Sequence, residues 1–245
     1  MRADFHMQRL FVDAPIAADQ ALETTRTQVN YLANVLRMKE GDQLLIFNGR
    51  DGEWHATVSF SSRKKILLKP TRQTRSQTPD PDLWLLFAPL KVGRLDYLVQ
   101  KAVEMGAGRI LPVLTQHTQV HKLNIARMRA NVIEAAEQCG ILAVPEFDDV
   151  IRLDQLLSTW PDTRRLLFCD EAEETHNPLS ALQSVKEKHL ALLIGPEGGF
   201  SQQERQYLRS QPFVSPLALG PRILRADTAV VAAMAVLQAT IGDWR

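Results

Sequence analysis

Two glycine-bearing turns concentrate the residues of this sequence that could do chemistry. The first is Leu192-Leu193-Ile194-Gly195-Pro196-Glu197-Gly198-Gly199-Phe200-Ser201. An apolar run leads straight into a turn with three glycines, and glycine lets backbone N–H and carbonyl groups approach a ligand closely. Ser201 and Glu204 have capping-box spacing, so a helix is expected directly behind the turn. The turn matches neither G-x-G-x-x-G nor G-x-x-x-x-G-K-[ST], which disfavours a dinucleotide site or a Walker phosphate site. The second is Leu219-Gly220-Pro221-Arg222-Ile223-Leu224-Arg225-Ala226-Asp227-Thr228. It follows a strand-like stretch, residues 214–219, and precedes residues 229–241, a helix apolar nearly all round that must be buried on most sides. Asp227 or Thr228 is the expected cap of that helix. Arg222 and Arg225, held among apolar neighbours, each need a partner: a phosphate, a carbonyl, or a carboxylate such as Glu197 or Asp227. Either turn, taken alone, also suits a purely structural bend with an internal ion pair.

The elements that must position these turns fall into two styles. Up to residue 75 the chain reads as short strands: one around 9–12, one at 43–48, the turn Gly49-Arg50-Asp51-Gly52, a strand at 54–60 where His55, Thr57 and Ser59 alternate with Ala56 and Val58, and one at 66–69. A single helix with Val29, Leu32, Val35 and Leu36 at helical spacing stands between them. Short strands with tight turns suggest a small barrel. Residues 69–82, with Pro70, Pro79 and Pro81, read as a linker. Beyond it, strands at 83–88, 109–114, 166–169 and 190–194 alternate with helices, one striped by Leu95, Leu98, Val99 and Ala102 and ended by Gly106, another at 125–139 stopped by Gly140. That alternation predicts an α/β domain with a mainly parallel sheet, where ligands bind outside the carboxyl ends of the strands.

Composition narrows the function classes. Hydrophobic residues make up 45% and charged residues 23% of 245, as expected of a globular protein able to build a core without staples. The net charge of +1 does not announce a nucleic-acid binder, but it is uneven: basic residues outnumber acidic ones 12 to 8 up to Thr78, and acidic outnumber basic 20 to 17 beyond it. Arg63, Lys64, Lys65, Lys69, Arg72 and Arg75 follow one another with no acid between, which suits phosphate contact or a lysine-guarded edge strand equally well. Cys139 and Cys169 are far apart and outside any zinc spacing, so reduced, buried thiols are expected. His117 and His121 are four apart in an expected loop with no third ligand in sight, so no metal is expected. The N-terminus lacks the apolar stretch of a signal peptide, and the longest apolar run, residues 229–237, is shorter than the ~20 residues that span a bilayer. A cytoplasmic protein without a membrane partner is expected.

The pair LLIGPEGGFS and LGPRILRADTA resembles the C-terminal signature of the small-subunit ribosomal RNA uridine-N3 methyltransferases, the RsmE family of the SPOUT superfamily. The resemblance runs through the chain: Arg9-Leu10-Phe11, Val35-Leu36-Arg37-Met38 and Phe47-Asn48-Gly49 look like the family's first domain, and residues 100–106 and Glu137-Gln138-Cys139-Gly140 like its middle. It implies a PUA-like RNA-binding β-barrel over residues 1–75 and a SPOUT α/β domain with a trefoil knot over 76–245. Periodicity alone does not suggest the knot, against which general topology rules argue. It further implies that S-adenosyl-L-methionine is held by Leu193, Ile194, Gly195, Pro196, Glu197, Gly198, Gly199, Leu219, Gly220, Arg222, Ile223 and Leu224. Arg225 would stabilise the uracil anion, and Glu197 or Asp227 would take the proton or orient that arginine. Arg9, Arg37, Lys64, Lys65, Lys91, Arg94 and Lys101 would contact RNA. The implied substrate is N3 of one uridine of 16S rRNA near the decoding centre, within the small ribosomal subunit, and the implied assembly is a homodimer with the site near its interface. Three departures bear on the RNA contacts and the proton acceptor: Ile141 where many members have Arg, Gln116-His117 in place of Glu-Arg, and Ala226-Asp227 in place of Thr-Glu. A SPOUT enzyme with another RNA target and a non-catalytic ribosome assembly factor are the alternative readings.

Overall fold

The structure, a computed structural model, describes residues 6–62, 65–173 and 177–244. The chain forms two compact units, one of Met1–Asp80 with Ile133–Val144, the other of Pro81–Val132 with Pro145–Arg245. The first unit takes in a segment from far along the chain.

In the first unit, β1 (Arg9–Phe11), β2 (Leu22–Glu23), β3 (Gln43–Phe47), β4 (Glu53–Ser62) and β5 (Lys65–Arg75) make one sheet in the order β1-β3-β4-β5-β2. Its pairings are antiparallel except β1 with β3. Leu10, Leu32, Leu44, Ile46, Val58 and Leu68 fill the core. The expected linker is instead strand as far as Arg75. Pro70 is tolerated because the β4–β5 register shifts beside it, opposite His55 and Ala56, and such a bulge needs no ladder donor. The expected single helix also differs. α1 (Arg26–Asn30), opened by a Thr25–Gln28 capping box, passes into a π-helical turn, Tyr31–Val35, closed by Leu36 N–H donating to Tyr31 O at 2.9 Å. The wider turn breaks the 3.6 period and leaves Val35 61% exposed. Arg37 behind it adopts φ 54°.

The second unit is an all-parallel sheet. β6 (Leu83–Phe87), α2 (Val92–Glu104), β7 (Arg109–Leu114), α3 (Ile125–Cys139, whose latter half belongs to the first unit), β8 (Glu146–Phe147), β9 (Ile151–Arg152) and α4 (Leu153–Ser158) come first. Then follow β10 (Arg164–Cys169), α5 (Pro178–Gln183), β11 (His189–Ile194), α6 (Gln202–Ser210), β12 (Val214–Leu217) and α7 (Ala226–Thr240). The strand order is β12-β10-β11-β6-β7-β8, with β9 also on β7. Register aligns Cys169 with both Ile194 and Leu217, so β10, β11 and β12 end at one level. Leu193, expected in the cofactor site, is instead fully buried in the core with Leu86, Leu166 and Phe168. The last helix starts three residues earlier than expected: Arg225 is its N-cap, without a side-chain bond, and Asp227 lies in its first turn accepting Thr228 N–H at 3.1 Å.

Candidate active site

Three turns leave the aligned strand ends and enclose a cavity of about 640 Å³, within the ~300–1,000 Å³ range of small-molecule sites. The β11 turn supplies Ile194 through Gly199, and the β12 turn supplies Leu219, Gly220, Arg222, Ile223, Leu224 and Arg225. Gly199 (φ 68°) and Gly220 (φ 98°) hold conformations that L side chains rarely adopt. Gly199 N–H closes the tight bend on Pro196 O at 2.9 Å. Gly195 is packed against a ring, since a Cβ there would lie 2.4 Å from Phe200, which meets Phe168 edge-on at 4.8 Å. The capping box of Ser201 and Glu204 forms as the sequence predicts and launches α6 from this turn.

The charges are arranged differently from expectation. Arg222 and Arg225 are exposed and have no ion pair among the described residues, so neither is the partner of Glu197 or Asp227. Glu197 pairs instead with Arg94 of α2, and both line the cavity. Asp227 is not among its lining residues. Sequence reasoning missed the third wall, the turn after β10. Cys169, Asp170, Glu171 and Glu173 face the same cavity. Asp170 is 2% exposed and neutralised from α6, with Arg205 Nε 3.1 Å from Oδ1 and Arg209 Nη2 2.7 Å from Oδ2. Arg205 also holds Glu171 at 2.7 Å, and Arg209 holds Glu173 at 2.8 Å. Burial, aided by the Asp170 charge, pushes the Cys169 thiol far up, so it stays protonated. The strand-end rule applied to β10 would have found this wall, whose acids otherwise read as ordinary surface charge.

A family model described as "RNA methyltransferase domain" matches residues 77–238, and one described as "RNA methyltransferase PUA domain" matches residues 24–71. The chain belongs to the RNA methyltransferase family. It is similar to proteins named Ribosomal RNA small subunit methyltransferase E from Rickettsia conorii, 29% identical with 93% of each chain covered, and from Bacillus subtilis, 29% identical with 94% of this chain and 96% of that one covered. Among solved structures, the protein of that name from Neisseria gonorrhoeae bound to S-adenosyl methionine has a TM-score of 0.87 at 25% identity, covering 98% of this chain and all of that one. A methyltransferase from Legionella pneumophila in complex with the same cofactor has a TM-score of 0.83 at 29% identity, covering 95% and 97%. The expected architecture, a PUA domain ahead of an α/β methyltransferase domain of the SPOUT kind, is therefore the fold of this chain.

The expected RNA contacts are dispersed. Arg9 is buried and spent on an internal ion pair: its Nε lies 3.0 Å from Glu53 Oε2, while Arg75 Nη2 approaches the same oxygen at 2.6 Å. It is not presented to a phosphate backbone. Lys65 makes an exposed pair with Glu23 at 2.9 Å, and Lys101 pairs with Glu104 at 2.7 Å. Arg37 and Lys91 are exposed, Lys91 at the N-terminus of α2. Lys64 lies outside the described residues. No group of three or more His, Cys, Asp or Glu suited to a metal occurs among the described residues.

Proposed function

We propose that this chain methylates N3 of a uridine in 16S rRNA, using S-adenosyl-L-methionine. The observation that carries the reading is the convergence of both glycine turns, with the acidic β10 turn, on one cavity of suitable size. The residues present fit the cofactor. Glycines at 195, 199 and 220 leave backbone groups accessible, and the carboxylates of Glu171 and Glu197 suit hydroxyl and ammonium groups. When bound, the cofactor supplies an already activated methyl group, so the chain's task is positioning and charge stabilisation. Uridine N3 carries a proton and is a poor nucleophile until that proton leaves. Arg225, unpaired among the described residues and on the cavity wall, is suited to stabilise negative charge developing on the uracil oxygens. Glu197 is the carboxylate better placed to take the proton, because it lines the cavity and Asp227 does not; Arg94 holds it in place.

The wider reading follows the relatives' names and the chain's surfaces. The RNA is 16S rRNA in or near an assembled small subunit, in the cytoplasm, gripped through exposed Arg37, Lys65 and Lys91. No described helix is long and apolar enough to cross a membrane. α7 carries a half-buried apolar stripe, Val231, Ala232, Ala235 and Val236, which a second copy of the chain would cover, in keeping with a homodimer. The return of α7 from the edge strand β12 to pack on α2 and β11 is compatible with a knotted path. Mass spectrometry of 16S rRNA from a deletion strain tests the reading. Loss of one N3-methyluridine, restored by the intact gene, is expected; persistence of every methyluridine overturns it.

A further inference from the structure

The turn after β7 carries Gln116-His117, where many members of the resembled family have Glu-Arg. It is strapped to the cavity's β11 turn. His117 Nδ1 lies 3.2 Å from Gly198 O and 3.1 Å from Gly199 O. Both partners are carbonyls and can only accept, so Nδ1 must carry the proton and donate to the pair. The neighbouring Gln116 N–H donates to Glu204 Oε1 at 2.7 Å. Glu204 Oε2 meanwhile accepts Ser201 N–H at 3.0 Å and so closes the cap of α6. One carboxylate therefore joins the β7 turn to the helix that leaves the cavity loop. On the carbon side the two turns are within ordinary van der Waals reach, since a Cβ at Gly198 would sit 3.4 Å from His117 Cβ.

The geometry points to His117 as a positioning residue that holds Pro196–Gly199 in its ligand-ready shape from the outer side of the loop. The inference rests on the cofactor reading above. His117 is not among the residues lining the main cavity and acts only through the backbone it holds. A loop that samples other shapes lowers apparent affinity by the fraction of time it is not competent. Losing one shared neutral hydrogen bond corresponds to about a fivefold weaker dissociation constant. Turnover at saturating cofactor should change far less.

The test combines a tautomer measurement with a variant series on the full chain. Two-bond ¹⁵N–¹H correlation spectra at alkaline pH should show the Nδ1–H tautomer for His117; the Nε2–H tautomer overturns the strap. Calorimetry with S-adenosyl-L-methionine should find His117→Ala and His117→Gln weakened about fivefold. His117→Asn, whose side-chain amide can place N–H near the Nδ1 position, should bind like the wild type, and thermal unfolding should confirm that all three fold. Equal affinity across the series overturns the positioning role while leaving the cofactor reading intact. A folded wild type that binds no cofactor overturns that reading and this role with it, whereas the tautomer spectrum still reports on the strap by itself.

Discussion

Gly195→Ala and Gly198→Ala make the same chemical change three residues apart in one loop, and the structure separates their outcomes. Neither glycine has positive φ, so backbone strain does not distinguish them. What a methyl group meets does. At Gly195 it would lie 2.4 Å from Phe200 Cε2, against an optimal carbon separation of about 3.5–4.0 Å, so more than ~1 Å must be found by movement. Phe200 is 5% exposed and braced edge-on against Phe168, which is fully buried, so the ring has nowhere free to go. Overpacking of this kind costs about 1–3 kcal/mol. At roughly 2–4 °C per kcal/mol for a chain of this size, the melting temperature should fall by about 2–12 °C. At Gly198 the nearest atom is His117 Cβ at 3.4 Å, an ordinary contact, and the change in stability should stay within about 0.5 kcal/mol. Differential scanning calorimetry of both variants reads the difference. Equal melting temperatures, or a larger loss at Gly198, would refute the assignment of Gly195 to close packing behind the cavity.

Arg225→Ala should lower methylation of 16S rRNA by about 10²–10³-fold with melting and cofactor affinity unchanged, since removing a charge-stabilising donor costs catalysis on that order; single-turnover kinetics with isotopically labelled cofactor check it. Arg9→Ala should destabilise the protein by up to ~3 kcal/mol, the low end for a broken buried pair because Arg75 still holds Glu53, while the salt dependence of RNA binding stays as it was; denaturant unfolding and salt titration separate the two effects. Burial pushes the Glu53 carboxyl up, but hydrogen bonds from Arg75 and Thr74 outweigh it and hold its pKa below the usual glutamate value. The unfolded chain therefore takes up that proton first, and the stability Glu53 contributes near neutrality is lost as pH falls through and below the glutamate range. Glu53→Gln should lower neutral-pH stability and flatten the acid limb by up to about 1.4 kcal/mol per pH unit, read from urea midpoints against pH.

Elements whose signals are local were legible in the sequence. The apolar stripe of α2, the capping box of α6 and the all-apolar run of β11 each declare themselves within a dozen residues, and each formed as expected. Where the outcome depends on something distant, the local pattern misleads. Val35 keeps helical spacing, yet a π turn rotates it outward. Pro70 looks like a strand breaker, yet a bulge beside it in β5, opposite His55 and Ala56, accommodates it. Arg9 looks like a phosphate contact, yet Glu53, 44 residues on, buries it. Asp227 looks like a cap, yet the helix begins one residue before it, at Ala226.

The cavity itself follows from strand order, which no local pattern encodes. The glycine turns leave β11 and β12, and these strands are not neighbours, because β10 runs between them. At about 4.8 Å per strand spacing, the turns start roughly 10 Å apart. A gap of that width could be open solvent. It is a binding site because the β10 turn rises between them from the same level and brings Asp170 with it. A buried carboxylate is tolerated there because Ala172 N–H donates to it at 3.1 Å and Arg205 and Arg209 reach it from α6, and α6 is the helix launched by the first glycine turn. The motif most visible in the sequence thus does two things at once: it forms one wall, and through the helix it starts it neutralises the wall that the sequence hides.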